Sequence, residues 1–139
     1  MMDVEVPVRE VMTPHPRAVQ LGDKISDARA ALADGRLHHL PVLDGRRLVG
    51  IISTTDLLEF GFAPRDSHDN VDDYLDEHFR IEQVMQTSVV TIPSNSTVRD
   101  AAEALTTGSL HAVPVVKDDG ELVGIVTSTD IVSYVVSQS

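Results

Sequence analysis

The sequence predicts an α+β protein made of two copies of one unit, each running helix, strand, helix, β-hairpin, helix. Three observations predict it. The stretch Leu48-Val49-Gly50-Ile51-Ile52-Ser53-Thr54-Thr55-Asp56-Leu57-Leu58 returns as Leu122-Val123-Gly124-Ile125-Val126-Thr127-Ser128-Thr129-Asp130-Ile131-Val132. The rest of the chain repeats in step. At a spacing of 73 residues, Val11-Met12 matches Val84-Met85, Asp27-Ala28 matches Asp100-Ala101, and His38 matches His111, with Leu32, Gly35 and Pro41-Val42 keeping the same spacing to Leu105, Gly108 and Pro114-Val115. Within each copy, apolar residues alternate between helical spacing and short continuous runs, the signature of helices mixed with buried strands. The spacing grows to 74 between Asp56 and Asp130. The extra residue falls in a polar turn, Asp44-Gly45-Arg46-Arg47 against Lys117-Asp118-Asp119-Gly120-Glu121, where a change of length costs little.

Each element has its own signal. Val8-Arg9-Glu10-Val11-Met12 reads as a helical turn or two, stopped by Pro14 and Pro16. Arg17 to Leu21 is a short extended piece. Ile25, Ala28 and Ala31-Leu32 have helical period, and Gly35 stops that helix. Leu40 to Leu43 and Leu48 to Ile52 flank a turn containing Gly45, hence an antiparallel hairpin. Ser53 starts a helix that ends near Gly61 and Pro64. The second copy repeats the plan. Val84-Met85 forms its opening helix and Val89 to Ile92 its first strand. Thr97 with Asp100 starts its Ala-rich helix, which carries Val98, Ala101-Ala102 and Leu105 and stops at Gly108. Ala112 to Val116 and Leu122 to Val126 form its hairpin. Thr127 opens a last helix running to about Val136. The first unit therefore spans residues 8–64, a linker 65–80, and the second unit 81–136. Asp66 to Glu77 holds six acidic residues and no Lys or Arg, the composition of a solvated linker, though Tyr74, Leu75 and Phe79 could anchor a short helix.

Composition narrows the function. With 139 residues, 42% of them hydrophobic, the chain can bury an aliphatic core. It has no cysteine, which excludes a disulfide framework, a thiolate metal site and a cysteine nucleophile, and fits a reducing, cytoplasmic setting. No apolar run of membrane-spanning length and no secretory leader is evident. A net charge of −11 argues against nucleic-acid and anionic-membrane partners, which need a positive surface. The six histidines are scattered, so no zinc site is expected, and the acidic run lacks calcium-loop spacing. Nucleophile-elbow, Walker and dinucleotide glycine motifs are missing, so no enzyme and no cofactor are expected.

The duplicated (Ser/Thr)-x-x-Asp turn carries the functional signal, and it has two readings. In one it is a capping box: the hydroxyl of Ser53 or Thr127 accepts from a free backbone N–H, and Asp56 or Asp130 stabilises the first turn. In the other, free N–H groups, a hydroxyl and a carboxylate converge at a strand's carboxyl end to hold a ligand. His38 and His111 similarly read either as structural residues with one ring hydrogen bond or as ligand contacts. Gly50 and Gly124 allow close backbone approach in a strand.

Two copies of an opening Val-Met, an Ala-rich helix, a His-x-x-Pro-Val strand and a Gly-Ile-x-(Ser/Thr)-x-x-Asp turn resemble a tandem pair of CBS domains, a Bateman module, over about Val8 to Val136. The resemblance implies two units packed with pseudo-two-fold symmetry. It implies clefts between them that bind adenosine-containing ligands such as AMP, ADP, ATP or S-adenosylmethionine, and control of a partner protein by ligand occupancy. Residue by residue, it assigns Asp56 and Asp130 to the ribose hydroxyls and Ser53 and Thr127 to the hydroxyl position near ribose and phosphate. Arg17, Ala18, Val90 and Thr91 take the backbone positions facing adenine, and His38, His39 and His111 lie where basic groups contact phosphate. The second copy departs from this pattern. It has Ala112 after His111 and no counterpart of Arg17, so phosphate provision is asymmetric and a single occupied cleft is expected. A histidine carries only part of a positive charge at neutral pH, which keeps nucleotide affinity modest.

The reading that follows is a regulatory sensor that binds an adenosine ligand without turnover. The alternative is a homodimeric interaction module whose clefts are empty and whose aspartates only cap helices. Leu57-Leu58 and Ile131, Val132, Val135 and Val136 give the helices after each Asp more apolar surface than one covering face needs. This predicts a homodimer contact there, or burial of those helices within the monomer.

Overall fold

The structure, a computed structural model, describes residues 2–33, 35, 37–59, 71–107 and 111–138. A single 3-10 turn, Val8–Glu10, leads to β1 (Thr13–Pro14) and β2 (Val19–Gln20). Then come α1 (Ile25–Ala33), β3 (His39–Asp44), β4 (Arg47–Ser53) and α2 (Thr54–Glu59). Two helices follow, α3 (Val71–His78) and α4 (Ile81–Val84). The second copy supplies β5 (Ile92–Pro93), α5 (Val98–Thr107), β6 (Ala112–Val116), β7 (Leu122–Thr127) and α6 (Ser128–Ser137). The fold is α+β and duplicated; the expected order holds in the second copy, and the first adds the two-residue strand β1 after its opening turn. The stops assigned to Gly61, Pro64 and Gly108 lie outside the described residues, as does the start of the acidic run.

Two elements differ from expectation. The opening helix is one 3-10 turn, because Thr13 and Pro14 are taken into a ladder with β7. The strand placed at Val89 to Ile92 begins only at Ile92, which is buried against Val115, while Val90 is half exposed. Pro93 is tolerated there because β5 is an edge strand.

The compact units are not the sequence copies. One consists of Met1–Pro16, Arg46–Leu48 and Val89–Ser139, the other of Arg17–Gly45 and Val49–Ser88. Each therefore combines most of one copy's helices and hairpin with the opening segment of the other copy, and the unit built on the second copy also takes Arg46–Leu48 from the tip of the first hairpin.

The unit built on the second copy holds a four-stranded sheet in the order β1-β7-β6-β5, with β1 and β6 antiparallel to β7 and β5 parallel to β6. Its core joins Val8 to Ile92, Ala101, Val113, Val115 and Val126. The N-terminal arm also serves α5: the carbonyls of Val4 and Val6 accept from Arg99 N and Val98 N, both at 2.9 Å, satisfying donors that a helix start leaves free. Glu5 accepts from Arg99 Nε at 2.9 Å, and this hydrogen bond leads the causes that raise the Arg99 pKa. Tyr134 Oη donates to the Asp3 carbonyl.

The unit built on the first copy holds the sheet β2-β3-β4, with β2 parallel to β3. Its core contains Ile25, Ala28, Leu40, Val42, Ile52 and Leu57 together with Leu75, Ile81 and Val84. The acidic run is thus partly a packed helix. Leu75 of α3 is buried, and Asp76 accepts from both Ser26 N (2.9 Å) and Ser26 Oγ (2.6 Å) on α1. Asp72 pairs with Arg29 at 2.7 Å. Tyr74 faces outward and stacks on His78 with ring centres 4.2 Å apart.

The recurring Val-Met and Gly now explain each other. A side chain at Gly50 would strike Met85 Sδ at 2.6 Å and the Gln86 carbonyl at 2.9 Å, and one at Gly124 would strike Met12 Sδ. Each methionine occupies the space left by a missing Cβ, which adds a packing role to the close approach read from the sequence.

Candidate functional site

The two (Ser/Thr)-x-x-Asp turns fold as reciprocal caps. Ser53 N donates to Asp56 Oδ2 at 2.8 Å, and Asp56 N donates to Ser53 Oγ at 3.1 Å. Thr127 N donates to Asp130 Oδ2 at 2.9 Å, and Asp130 N donates to Thr127 Oγ1 at 3.2 Å. Thr97 and Asp100 at the start of α5 do the same, at 2.9 and 3.2 Å. Capping geometry alone therefore does not set Asp56 and Asp130 apart.

Their place on the sheets does. In each unit the strand bearing the hydroxyl ends where two parallel strands begin. Ser53 ends β4 beside the start of β3, and Thr54 N donates to the His38 carbonyl at 3.2 Å. Thr127 ends β7 beside the start of β6, and Ser128 N donates to the His111 carbonyl at 3.1 Å. β2 runs parallel to β3 with Val19 opposite Val42, so Arg17 and Ala18 approach that end of the sheet. β5 runs parallel to β6 with Ile92 opposite Val115, and Val90 and Thr91 approach the corresponding end. Thus Arg17, Ala18, His38, His39, Ser53 and Asp56 share one sheet end, and Val90, Thr91, His111, Thr127 and Asp130 share another. Arg17, His38 and His111 are exposed, so the histidines are not core residues, and Arg17 is a cation with no counterpart in the other set.

The two ends differ in detail. Asp56 is buried, and its second oxygen accepts from Gln86 Nε2 at 2.8 Å. Asp130 is half-buried, and among the described residues nothing donates to its second oxygen. Thr54 Oγ1 is buried with no partner among the described residues. Gln86 and Thr54 were missed in the sequence. The signal for Gln86 was present: it stands where the first copy has Thr13, one residue after the repeated Val-Met. Among the described residues no group of three or more His, Asp or Glu side chains forms a metal site, and no helix is long and apolar enough to cross a membrane.

Comparison with known proteins gives one consistent answer. The CBS domain family matches residues 8–62 and 81–137. Protein MJ1225 of Methanocaldococcus jannaschii is 28% identical over 115 residues, covering 81% of this chain but only 41% of that protein. A structure of CBSX2 in complex with AMP superposes with a TM-score of 0.79 at 25% identity, covering 96% of this chain and 98% of that one. The CBS domain pair of protein MJ0100, in complex with 5-methylthioadenosine and S-adenosyl-L-methionine, gives a TM-score of 0.75 at 25% identity over 96% of this chain and 98% of the other. With two matched regions, a duplicated strand-to-helix turn and whole-chain similarity to such pairs, the chain belongs to the CBS domain family, as a tandem pair.

Proposed function

We propose that the chain is a regulatory module that binds an adenosine-containing ligand (AMP, ADP, ATP or S-adenosylmethionine) without turning it over, and that occupancy biases a protein yet to be identified. The observation that carries this reading is the convergence, at one end of each sheet, of a carboxylate, a hydroxyl and the starts of two parallel strands. Support comes from the two similar CBS pairs in complex with AMP and with S-adenosyl-L-methionine. In this reading Asp56 or Asp130 accepts from the ribose hydroxyls. Ser53 or Thr127 lies beside ribose and phosphate, and backbone at Arg17-Ala18 or Val90-Thr91 faces adenine. Arg17, His38, His39 and His111 supply the positive charge for phosphate.

The protein's negative charge opposes an anionic ligand only at long range, since salt screens it beyond about 8 Å. The test is a thermal-shift titration with the four ligands. Binding to the folded state at about 100 times the dissociation constant adds about 2.7 kcal/mol, a rise in Tm of roughly 5–10 °C for a chain of this size. A Tm indifferent to all four ligands at millimolar concentration overturns the reading.

A homodimer is proposed with it, from a separate observation. Val132 is 60% and Val135 42% exposed on α6, a helix with no buried residue. The surplus expected from the first copy is smaller, because Leu57 turns into its own core, and the side chain of Leu58 lies outside the described residues. Sedimentation at micromolar concentration is expected to give a dimer, and Val132→Glu with Val135→Glu to give a monomer of unchanged fold. A monomeric wild type overturns this.

A further inference from the structure

We propose that Gln86 is a built-in competitor for the first carboxylate: it closes Asp56 to a diol-bearing ligand and leaves Asp130 to receive it. The inference rests on the adenosine-ligand reading above and concerns how that site is regulated. Asp56 has both oxygens engaged, one by Ser53 N and one by Gln86 Nε2. Gln86 does not drift with a loop. Its backbone pairs with Ile51 in both directions, at 3.0 and 2.8 Å, so the amide is delivered by the edge of the sheet. Thr54 Oγ1, next in the chain after Ser53, is buried and without a partner among the described residues, whereas Ser128, the matching residue of the other copy, is exposed.

In the other unit, Thr13 takes the place of Gln86: it faces Ile125 as Gln86 faces Ile51. A threonine side chain is two atoms shorter and carries no amide. Asp130 accordingly keeps one oxygen without a donor among the described residues and remains partly exposed. A carboxylate that grips a vicinal diol needs its acceptor sites open. At Asp56 a ligand hydroxyl must displace the Gln86 amide from Oδ1 or share that oxygen with it, and displacement costs a hydrogen bond to a charged acceptor, which corresponds to roughly 10- to 100-fold in affinity. At Asp130 nothing has to be displaced. A ligand that does expel Gln86 frees a residue paired to the sheet edge, so first and second occupancy become events at different ligand concentrations.

The experiment is calorimetric titration of AMP into the full chain and three variants. Wild type is expected to take one AMP per chain in the tighter step, and Asp130→Ala to weaken that step 10-fold or more. Gln86→Ala is expected to add a second AMP per chain of comparable affinity. Thr13→Gln, at an exposed position, grafts the competitor onto the other half and is expected to weaken the tight step. Two equal sites in wild type, or a stoichiometry unchanged by Gln86→Ala, overturns the competitor while leaving the nucleotide reading intact. No uptake of AMP by any of the four proteins overturns both.

Discussion

Val8→Asp is expected to destabilise the sheet of the second copy, although Val8 belongs to the first. Val8 is fully buried and packs with Ile92, Ala101, Val113, Val115 and Val126. Its N–H donates to the Ser96 carbonyl at 2.8 Å. A carboxylate in that position has no partner, and an uncompensated buried charge costs roughly 4 kcal/mol or more. Such a loss is a large part of the ordinary stability of a domain. Val8→Ala is the gentler probe, at roughly 2 kcal/mol. Amide hydrogen exchange reads where the damage falls. Protection is expected to drop in β6 and β7 before β3 and β4. Early loss in β3 and β4, with β6 and β7 intact, would show that Val8 stabilises its own copy instead.

Asp56→Ala is expected to cost roughly 2–4 kcal/mol and Asp130→Ala only about 1 kcal/mol. Both remove a cap of the same geometry. The difference lies in what is left behind. At Asp56 the loss strands the N–H of Ser53, a buried residue, and the amide of Gln86. At Asp130 it exposes the N–H of Thr127, which is half-buried and within reach of water. Urea denaturation followed by far-UV circular dichroism checks this. Equal losses within about 0.5 kcal/mol would mean that burial does not distinguish the two caps.

Most local structure was legible because it is written in short-range chemistry. Periodicity placed α1 at its observed limits, and the reciprocal (Ser/Thr)-x-x-Asp hydrogen bonds formed where the spacing put them. The acidic run was harder. Its charges read as solvation, yet Ser26 and Arg29 supply partners for Asp76 and Asp72, and no local signal connects residues so far apart in the chain. The partnership of Gly124 with Met12, and of Gly50 with Met85, was illegible for the same reason. Each copy contains a glycine and a methionine, and nothing within one copy says that they belong to different packing groups. The inequality of Asp56 and Asp130 was half visible. The copies differ at Gln86 and Thr13, but without the register to Ile51 and Ile125 that difference has no meaning.

The exchanged arms also set a timetable for synthesis. On the ribosome the arm carrying Val8 and Met12 emerges well before its binding site, the sheet of the second copy. Met12 must wait for Gly124, and Val8 for Val126, with the residues of the other unit made in between. The first copy's helices and hairpin, with α3 and α4, can close once Gln86 has left the exit tunnel; the other unit cannot form until β7 has emerged as well. Contacts of such long sequence separation slow folding. They also mean that a cut between the two copies does not yield two self-sufficient halves. The stretch of chain that was duplicated and the stretch that folds as a body are different stretches.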